Sequence, residues 1–293
     1  MLRDALVAAH GAAALGGIPE FVVTRTSGDA IQDRPLRDVG GKGLFTKEIE
    51  DALLCGAIDI AVHSAKDMPT LAREGLTLAG ALPREDVRDV LITREGHSVE
   101  SLPRGARVGT TALRRRAQLL RRRPDLVVED LRGNVGTRLA KLERGEVEGI
   151  VLARAGLARL GLTPPGAVVL STHDMLPAAG QGTIGLEVRA DDGLAAELVG
   201  AISHPASFLA LLAERAALAV LNGSCRSPIG AHAIVSGGRA HVHALVLSAD
   251  GRQAYGASRE GAFEDAVMLG QAVGEDIRAK APPKFVAALL SGE

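Results

Sequence analysis

Residues 127–160, VVEDLRGNVGTRLAKLERGEVEGIVLARAGLARL, decide the fold. Val127 and Val128 read as a short strand, residues 135–142 as a helix, 149–153 as a strand and 154–160 as a second helix. Strands and helices alternating at this spacing build an α/β layer, with helices on the faces of a sheet. The same rhythm occurs earlier. Residues 21–24 read as a strand, 46–54 as a helix capped by Thr46 with Ile49, Ala52 and Leu53 on one face, and 58–62 as the next strand. Two similar α/β halves are expected, with a boundary near Pro83-Arg84-Glu85-Asp86, where proline and charge interrupt the apolar pattern. The tail differs. An Ala/Leu-rich helix over 206–221 precedes three alternating runs, 229–235, 240–247 and 253–258, joined by Ser236-Gly237-Gly238 and Asp250-Gly251. The last third therefore reads as an antiparallel meander closed by a helix over about 263–279.

Composition narrows the function classes. With 293 residues, 46% of them apolar, the chain can bury two or three cores and is not generally disordered. No apolar run reaches the roughly 18–20 residues of a membrane helix, and residues 1–6 lack a signal peptide's layout, so a cytoplasmic location is expected. Cys55 and Cys225 stand far apart in sequence, which suits a reducing compartment and offers neither a disulfide framework nor a zinc quartet. No metal is expected. Aromatic residues make up 2% with no tryptophan, which argues against the stacking surface of a nucleic-acid binder.

Against a net charge of only −1, arginines crowd residues 114–138 around the Gly-rich turn Leu131-Arg132-Gly133-Asn134. A guanidinium fork matches carboxylate or phosphate, so the cluster points to a ligand with several anionic groups. Arg121, Arg122 and Arg123 follow Leu113, Ala117 and Leu120 at helical spacing and read as a solvated helix end. Arg114 and Arg115 follow Gly109-Thr110-Thr111, a strand-to-helix turn whose N–H groups also attract anions; a binding and a surface role are both open to them. The stretch His63-Ser64-Ala65-Lys66-Asp67-Met68-Pro69-Thr70 follows a strand, where ligands of α/β sheets collect. Lys66-Asp67 fits either a surface ion pair or a ligand contact, and His63 reads as a hydrogen-bonded structural residue. Residues 39–45 look like a phosphate loop at first sight, but Gly43 stands where a Walker motif needs Ser or Thr, so a flexible loop over a cleft is expected. In Asn222-Gly223-Ser224-Cys225-Arg226-Ser227-Pro228, Cys225 is either a small buried hydrophobe or a thiolate favoured by Arg226.

Taken in order, VGGKGLF at Val39, DIAVHSAKDMPT at Asp59, GTTALRRR at Gly109, LRGNVGTRL at Leu131, LPAAGQGTIGLE at Leu176 and NGSCRSPIGA at Asn222 resemble the porphobilinogen deaminase (hydroxymethylbilane synthase) family along nearly the whole chain. The resemblance implies a transferase of porphyrin and haem biosynthesis that condenses four porphobilinogen molecules head to tail, releasing ammonia each time. It implies an α/β fold of two periplasmic-binding-protein-like (type II) domains, residues 1–83 with 183–200 and residues 88–178. A small α+β domain with a three-stranded antiparallel sheet follows over 204–293. A dipyrromethane cofactor is implied, held by a thioether to Cys225, with the domains shifting as the chain of pyrroles grows. Ser64, Lys66, Thr110, Arg114, Arg115, Arg132, Arg138, Arg159 and Gln181 are implied to bind cofactor or substrate carboxylates, with Arg116 either a helper or a surface residue. Asp67 is implied to stabilise the cation left when ammonia departs. A monomer that binds neither nucleic acid nor membrane is expected.

Family members usually begin with a strand and a Thr-Arg-x-Ser-x-Leu-Ala stretch, which residues 1–10 do not match. The expectation is that an upstream segment supplies a strand beside residues 58–62 and two anion-binding side chains, and that the chain without it is weakly active or inactive and less stable than an extended one. Two rival classes remain: a two-lobed anion-binding module without catalysis, and a nucleic-acid binder whose affinity falls steeply with salt.

Overall fold

The computed structural model describes residues 1–24, 26, 46–224 and 227–291. Its first part runs α1 (Leu2–His10), α2 (Lys47–Leu54), β1 (Ala61–Ser64), β2 (Leu76–Ala81), β3 (Asp89–Thr93), β4 (Arg107–Gly109), α3 (Leu113–Arg122), β5 (Val127–Glu129), α4 (Val135–Glu143), β6 (Gly149–Ala153), α5 (Arg154–Arg159) and β7 (Ala167–Val169). It continues as β8 (Ile184–Arg189), α6 (Gly193–Ile202), α7 (Pro205–Val220), β9 (Ile229–Ser236), β10 (Arg239–Leu247), β11 (Ala254–Ala262), α8 (Ala266–Lys280) and α9 (Pro283–Ser291).

These elements form three sheets. The first has the order β1-β8-β2, all antiparallel, with β8 in the middle. Helices α1 and α6 bury Leu2, Leu6, Ala195 and Val199 against Leu186 and Val188 of β8, and Leu53 of α2 packs on Ala61 and Leu76. The second sheet has the order β5-β4-β6-β3-β7; β4 is parallel to both neighbours and β3 antiparallel to both of its own. One of its faces buries Leu91, Val108 and Val151 with Leu119 of α3, and the other buries Val90, Ile92 and Ile150 with Leu142 of α4 and Leu157 of α5. The third, β11-β10-β9, is antiparallel; it turns Val242, Ala244 and Val246 toward α7 and α8, where they meet Ala213, Ala217, Val273 and Ile277. Alternation along β10 leaves His241 and His243 on the opposite face. The architecture is α/β with a C-terminal three-stranded antiparallel sheet, the class expected from the sequence.

Some expectations are corrected. Residues 21–24 form no strand; residues 21–23 are exposed, Val23 at 93%, and among the described residues this short apolar run has no neighbouring strand to pair with. The strand expected from residue 58 starts at Ala61, because Ala57 and Ile58 donate back to Ala52 O at the end of α2, which holds Ile58 out of the ladder. Strands β2, β3 and β8 were not legible. Every residue of β3 is buried, and a strand covered on both faces loses the alternation by which strands are read. The loop expected over residues 39–45 lies outside the described residues.

The chain passes from the first sheet to the second through residues 82–88 and returns through 171–183, and both passages are fastened to the tail. Arg84 donates from Nη1 and Nη2 to the two Glu214 oxygens at 2.7 and 3.0 Å and from Nε to Gln181 O at 2.9 Å. Glu214, fully buried on α7, also accepts from Gly180 N and Ala233 N, both at 2.7 Å. One carboxylate thus holds the outward passage, the return passage and the third sheet.

Candidate active site

The turn after β1 is the centre of the site. Ala65–Asp67 form one turn of 3-10 helix, and Ala65 N donates to Thr183 O at 3.0 Å, so the return passage fixes where the turn begins. Gly180 lies against it with φ +74°; a Cβ there would stand 3.0 Å from Ala65 C and from Lys66 N, which leaves glycine as the residue that fits. Ser64 is exposed at the end of β1, and Lys66 and Asp67 are partly buried. Below the turn, His63 Nε2 and Glu187 Oε2 lie 3.1 Å apart, both buried, so His63 takes the structural role. Burial pushes the Lys66 ammonium below its ordinary value; Asp67 and Asp89 oppose the shift, while Arg115 and Arg114 add to it.

These same partners define the neighbouring cluster. Arg114 and Arg115, in the first turn of α3, are buried and meet Asp89 at the start of β3. Arg114 Nη2 donates to Asp89 Oδ2 at 2.8 Å and Nη1 to Leu176 O at 2.5 Å. Arg115 Nη2 and Nε donate to Asp89 Oδ1 at 2.7 and 3.2 Å, and its Nη1 to Val151 O at 3.0 Å. Gln181 Nε2 donates to the same Oδ1 at 2.9 Å and to Val87 O at 2.6 Å, and its Oε1 accepts from Arg114 at 3.3 Å. Burial alone would raise the Asp89 carboxyl, but the charges and hydrogen bonds of Arg114 and Arg115 outweigh it and hold it well below the usual carboxylate range. The two arginines are neither surface residues nor open forks; they are oriented by an internal carboxylate. Thr110 is buried ahead of them and accepts from Ala112 N at 3.3 Å.

The Gly-rich turn brings two more arginines to the cluster. Gly133 takes φ +116°, where a Cβ would lie 2.6 Å from Thr137 Cγ2, and Asn134 caps α4 by accepting from Thr137 N at 2.9 Å. The turn sets Arg132 before the cap and Arg138 one helical turn after it. Burial lowers the Arg138 guanidinium from its ordinary value, and the like charges of Arg115 and Arg132 lower it further. Its Nε is buried without a hydrogen-bond partner. A desolvated cation among other cations, with an idle donor, is costly to the protein by itself and suited to an anion. Arg159 is more peripheral: it donates from Nη2 to Gly182 O at 2.7 Å, with burial lowering its pKa and Glu85 opposing. Arg116 lies by Leu113, Leu120 and Asp250, at the contact between α3 and the third sheet rather than in the cluster.

The tail reaches the turn directly. Arg215 of α7 donates from Nη2 to Pro69 O at 2.7 Å and Thr70 O at 3.0 Å, and Thr70 Oγ1 donates to Gly223 O at 2.6 Å. Cys225 and Arg226 themselves lie outside the described residues. Asp89, Glu214 and Arg215 were missed in the sequence: each is a charged residue whose partners are remote, and the only local sign was the mixed-charge stretch Arg84-Glu85-Asp86-Val87-Arg88-Asp89.

Comparisons with known proteins identify the family. The family model for the porphobilinogen deaminase dipyromethane cofactor binding domain matches residues 1–197, and that for the porphobilinogen deaminase C-terminal domain matches 208–279. A porphobilinogen deaminase of Nitrobacter hamburgensis is 52% identical over 287 residues, covering 97% of this chain and 89% of its own length. One of Paracoccus denitrificans is 50% identical over 283 residues, covering 97% and 90%, and a chloroplastic one of rice is 46% identical over 286 residues, covering 97% and 80%. Among solved structures, YhfZ from Shigella flexneri is similar at 21% identity and a TM-score of 0.37, covering 73% of this chain and 81% of its own. A Salmonella typhimurium periplasmic binding protein of high arginine specificity is similar at 14% identity and a TM-score of 0.37, covering 69% and 78%. With both family models matched in order and half of its residues shared with relatives across nearly its full length, the chain belongs to the porphobilinogen deaminase family.

Proposed function

We infer that the polar cluster around the Ala65–Asp67 turn is where a hydroxymethylbilane synthase binds and condenses its substrate. The chain is a transferase of tetrapyrrole biosynthesis that joins porphobilinogen units with loss of ammonia, and its first family domain binds the dipyrromethane cofactor. The donor set fits that group: each pyrrole carries an acetate and a propionate, and Arg138 presents a buried Nε with no partner beside Arg132 and Arg115. When bound, the cofactor supplies the pyrrole carbon to which the first substrate is joined.

The roles of the chain's own residues follow from placement. Asp67 lies beside Lys66 in a turn fixed by the return passage and the tail; its carboxylate stabilises the positive carbon that the substrate presents once ammonia departs and accepts from the pyrrole N–H. Arg132, Arg138 and Arg159 take ligand carboxylates, while Arg114 and Arg115, their forks held by Asp89, line the same site and add positive charge to it. Ser64, Lys66, Thr110 and Gln181 complete the polar wall. Cys225 is the anchor, attached by a thioether, and needs a compartment that keeps its thiol reduced until it bonds, so the reading places the protein in the cytoplasm, as a monomer. The three sheets support division into residues 1–83 with 183–200, 88–178 and 204–293.

The observation that carries the reading is the buried, unpartnered Arg138 Nε within a cluster that also holds Asp67, Lys66 and four remote segments of chain. Asp67→Asn keeps size but removes charge, so substrate should still bind while turnover falls at least ~100-fold, the order seen when one stabilising group is lost. Unchanged turnover would place the stabilising charge elsewhere.

A further inference from the structure

We propose that Arg215 and Thr70 are positioning residues for Asp67, through which the tail sets the geometry of the reaction. The inference rests on Asp67 being the catalytic carboxylate. Asp67 has little to hold it from within its own turn: the backbone of Ala65–Asp67 closes through Met68 N donating to Ala65 O at a long 3.4 Å. The turn is held from outside instead. At its start, Ala65 N is tied to Thr183 O at 3.0 Å. At its end, one Arg215 nitrogen spans two successive carbonyls, Pro69 O at 2.7 Å and Thr70 O at 3.0 Å, and the Thr70 hydroxyl donates to Gly223 O at 2.6 Å.

The anchor is itself rigid. Arg215 sits on α7 next to Glu214, whose carboxylate takes four hydrogen bonds from Arg84, Gly180 and Ala233. Burial lowers the Arg215 guanidinium and the charge of Glu187 opposes this. Two carbonyls that would otherwise be free to turn are thus fixed by a desolvated, charge-assisted donor, the strong kind of hydrogen bond. A carboxylate stabilising a developing charge loses most of its effect when displaced by about 1 Å. The structural consequence is specific: loosening residues 69–70 should let Asp67 drift without altering the arginines that hold substrate carboxylates.

Thr70→Val keeps the shape of the side chain and removes its donor. In the holoenzyme it should lower kcat about 10-fold with KM within twofold, leave the intact-mass increment of the cofactor and the melting temperature unchanged, and be restored by Thr70→Ser. Arg215→Met, which keeps an unbranched side chain but removes the donor that spans Pro69 O and Thr70 O, should lower kcat in the same way. In an Asp67→Asn background Thr70→Val should cost nothing more, because residues that act through one group are not additive. Normal kcat in Thr70→Val, failure of Thr70→Ser to restore it, or a full further loss in the Asp67→Asn background would each overturn the proposal. An active Asp67→Asn single variant would instead overturn the reading of Asp67 itself, so the two failures are told apart.

Discussion

Arg138 shows how a site residue differs from a structural one. Its Nε is buried and unpartnered and its nearest charges have its own sign, so it lowers stability in order to meet a ligand. Arg138→Met should therefore leave the melting temperature unchanged or raise it, while kcat/KM for porphobilinogen falls about 10–100-fold, the worth of one charge-assisted hydrogen bond. A drop in melting temperature with intact kcat/KM would make Arg138 structural. Arg114 and Arg115 behave oppositely because Asp89 already compensates them. The sequence shows why one half of this was legible: arginines concentrated at a Gly-rich turn can be seen in a line of text, whereas Asp89 meets them only after β3 and α3 are laid side by side.

At the scale of elements, legibility followed solvent. The hairpins β9–β10 and β10–β11 have one face on α7 and α8 and one face away from it, so alternation and glycine turns announced them within a few residues. Strands β3 and β8 have no wet face and announced nothing. The third sheet carries a further property of this chain. His232 and His243 are cross-strand partners, and burial holds both imidazoles below their ordinary value of 6.5. For His232, Glu214 opposes that shift and Arg84, His243 and His241 add to it; for His243, His241 and His173 add to it. A depressed folded-state value means that the unfolded chain takes up protons first as pH falls. The contribution of these two groups should be present above the ordinary imidazole value of 6.5 and be lost progressively as pH falls below it, in urea unfolding midpoints. His232→Gln should flatten part of that decline, and a slope unchanged by the substitution would refute the assignment. In α4, Asn134→Ala should cost about 1 kcal/mol by removing the cap that orients Arg132 and Arg138.

At the scale of the molecule, the three sheets keep separate main cores; the first meets α7 through a small apolar cluster of Ala65, Ala81 and Leu211, and buried polar contacts tie the passages to the tail. Arg84–Glu214 is chief among them, and Glu214→Gln leaves Arg84 without its counter-charge; the cost should be about 3–5 kcal/mol in unfolding free energy, with turnover lost because the passages at 82–88 and 171–183 are no longer fastened to the tail. Full stability in Glu214→Gln would mean that the passages are held by other contacts. The overall plan of two α/β halves and an antiparallel tail was visible in the sequence because each half buries its own periodic helices; the joints were not, since a salt bridge across 130 positions leaves no local pattern. The central claim is that this assembly holds a covalent dipyrromethane beside Asp67 and the arginine cluster. The intact mass of the purified protein tests it most directly: an excess equal to two condensed pyrroles, present in Cys55→Ser and absent from folded Cys225→Ser, is the predicted result. A protein of unmodified mass that nevertheless turns over porphobilinogen, or a cofactor retained in Cys225→Ser, would contradict it.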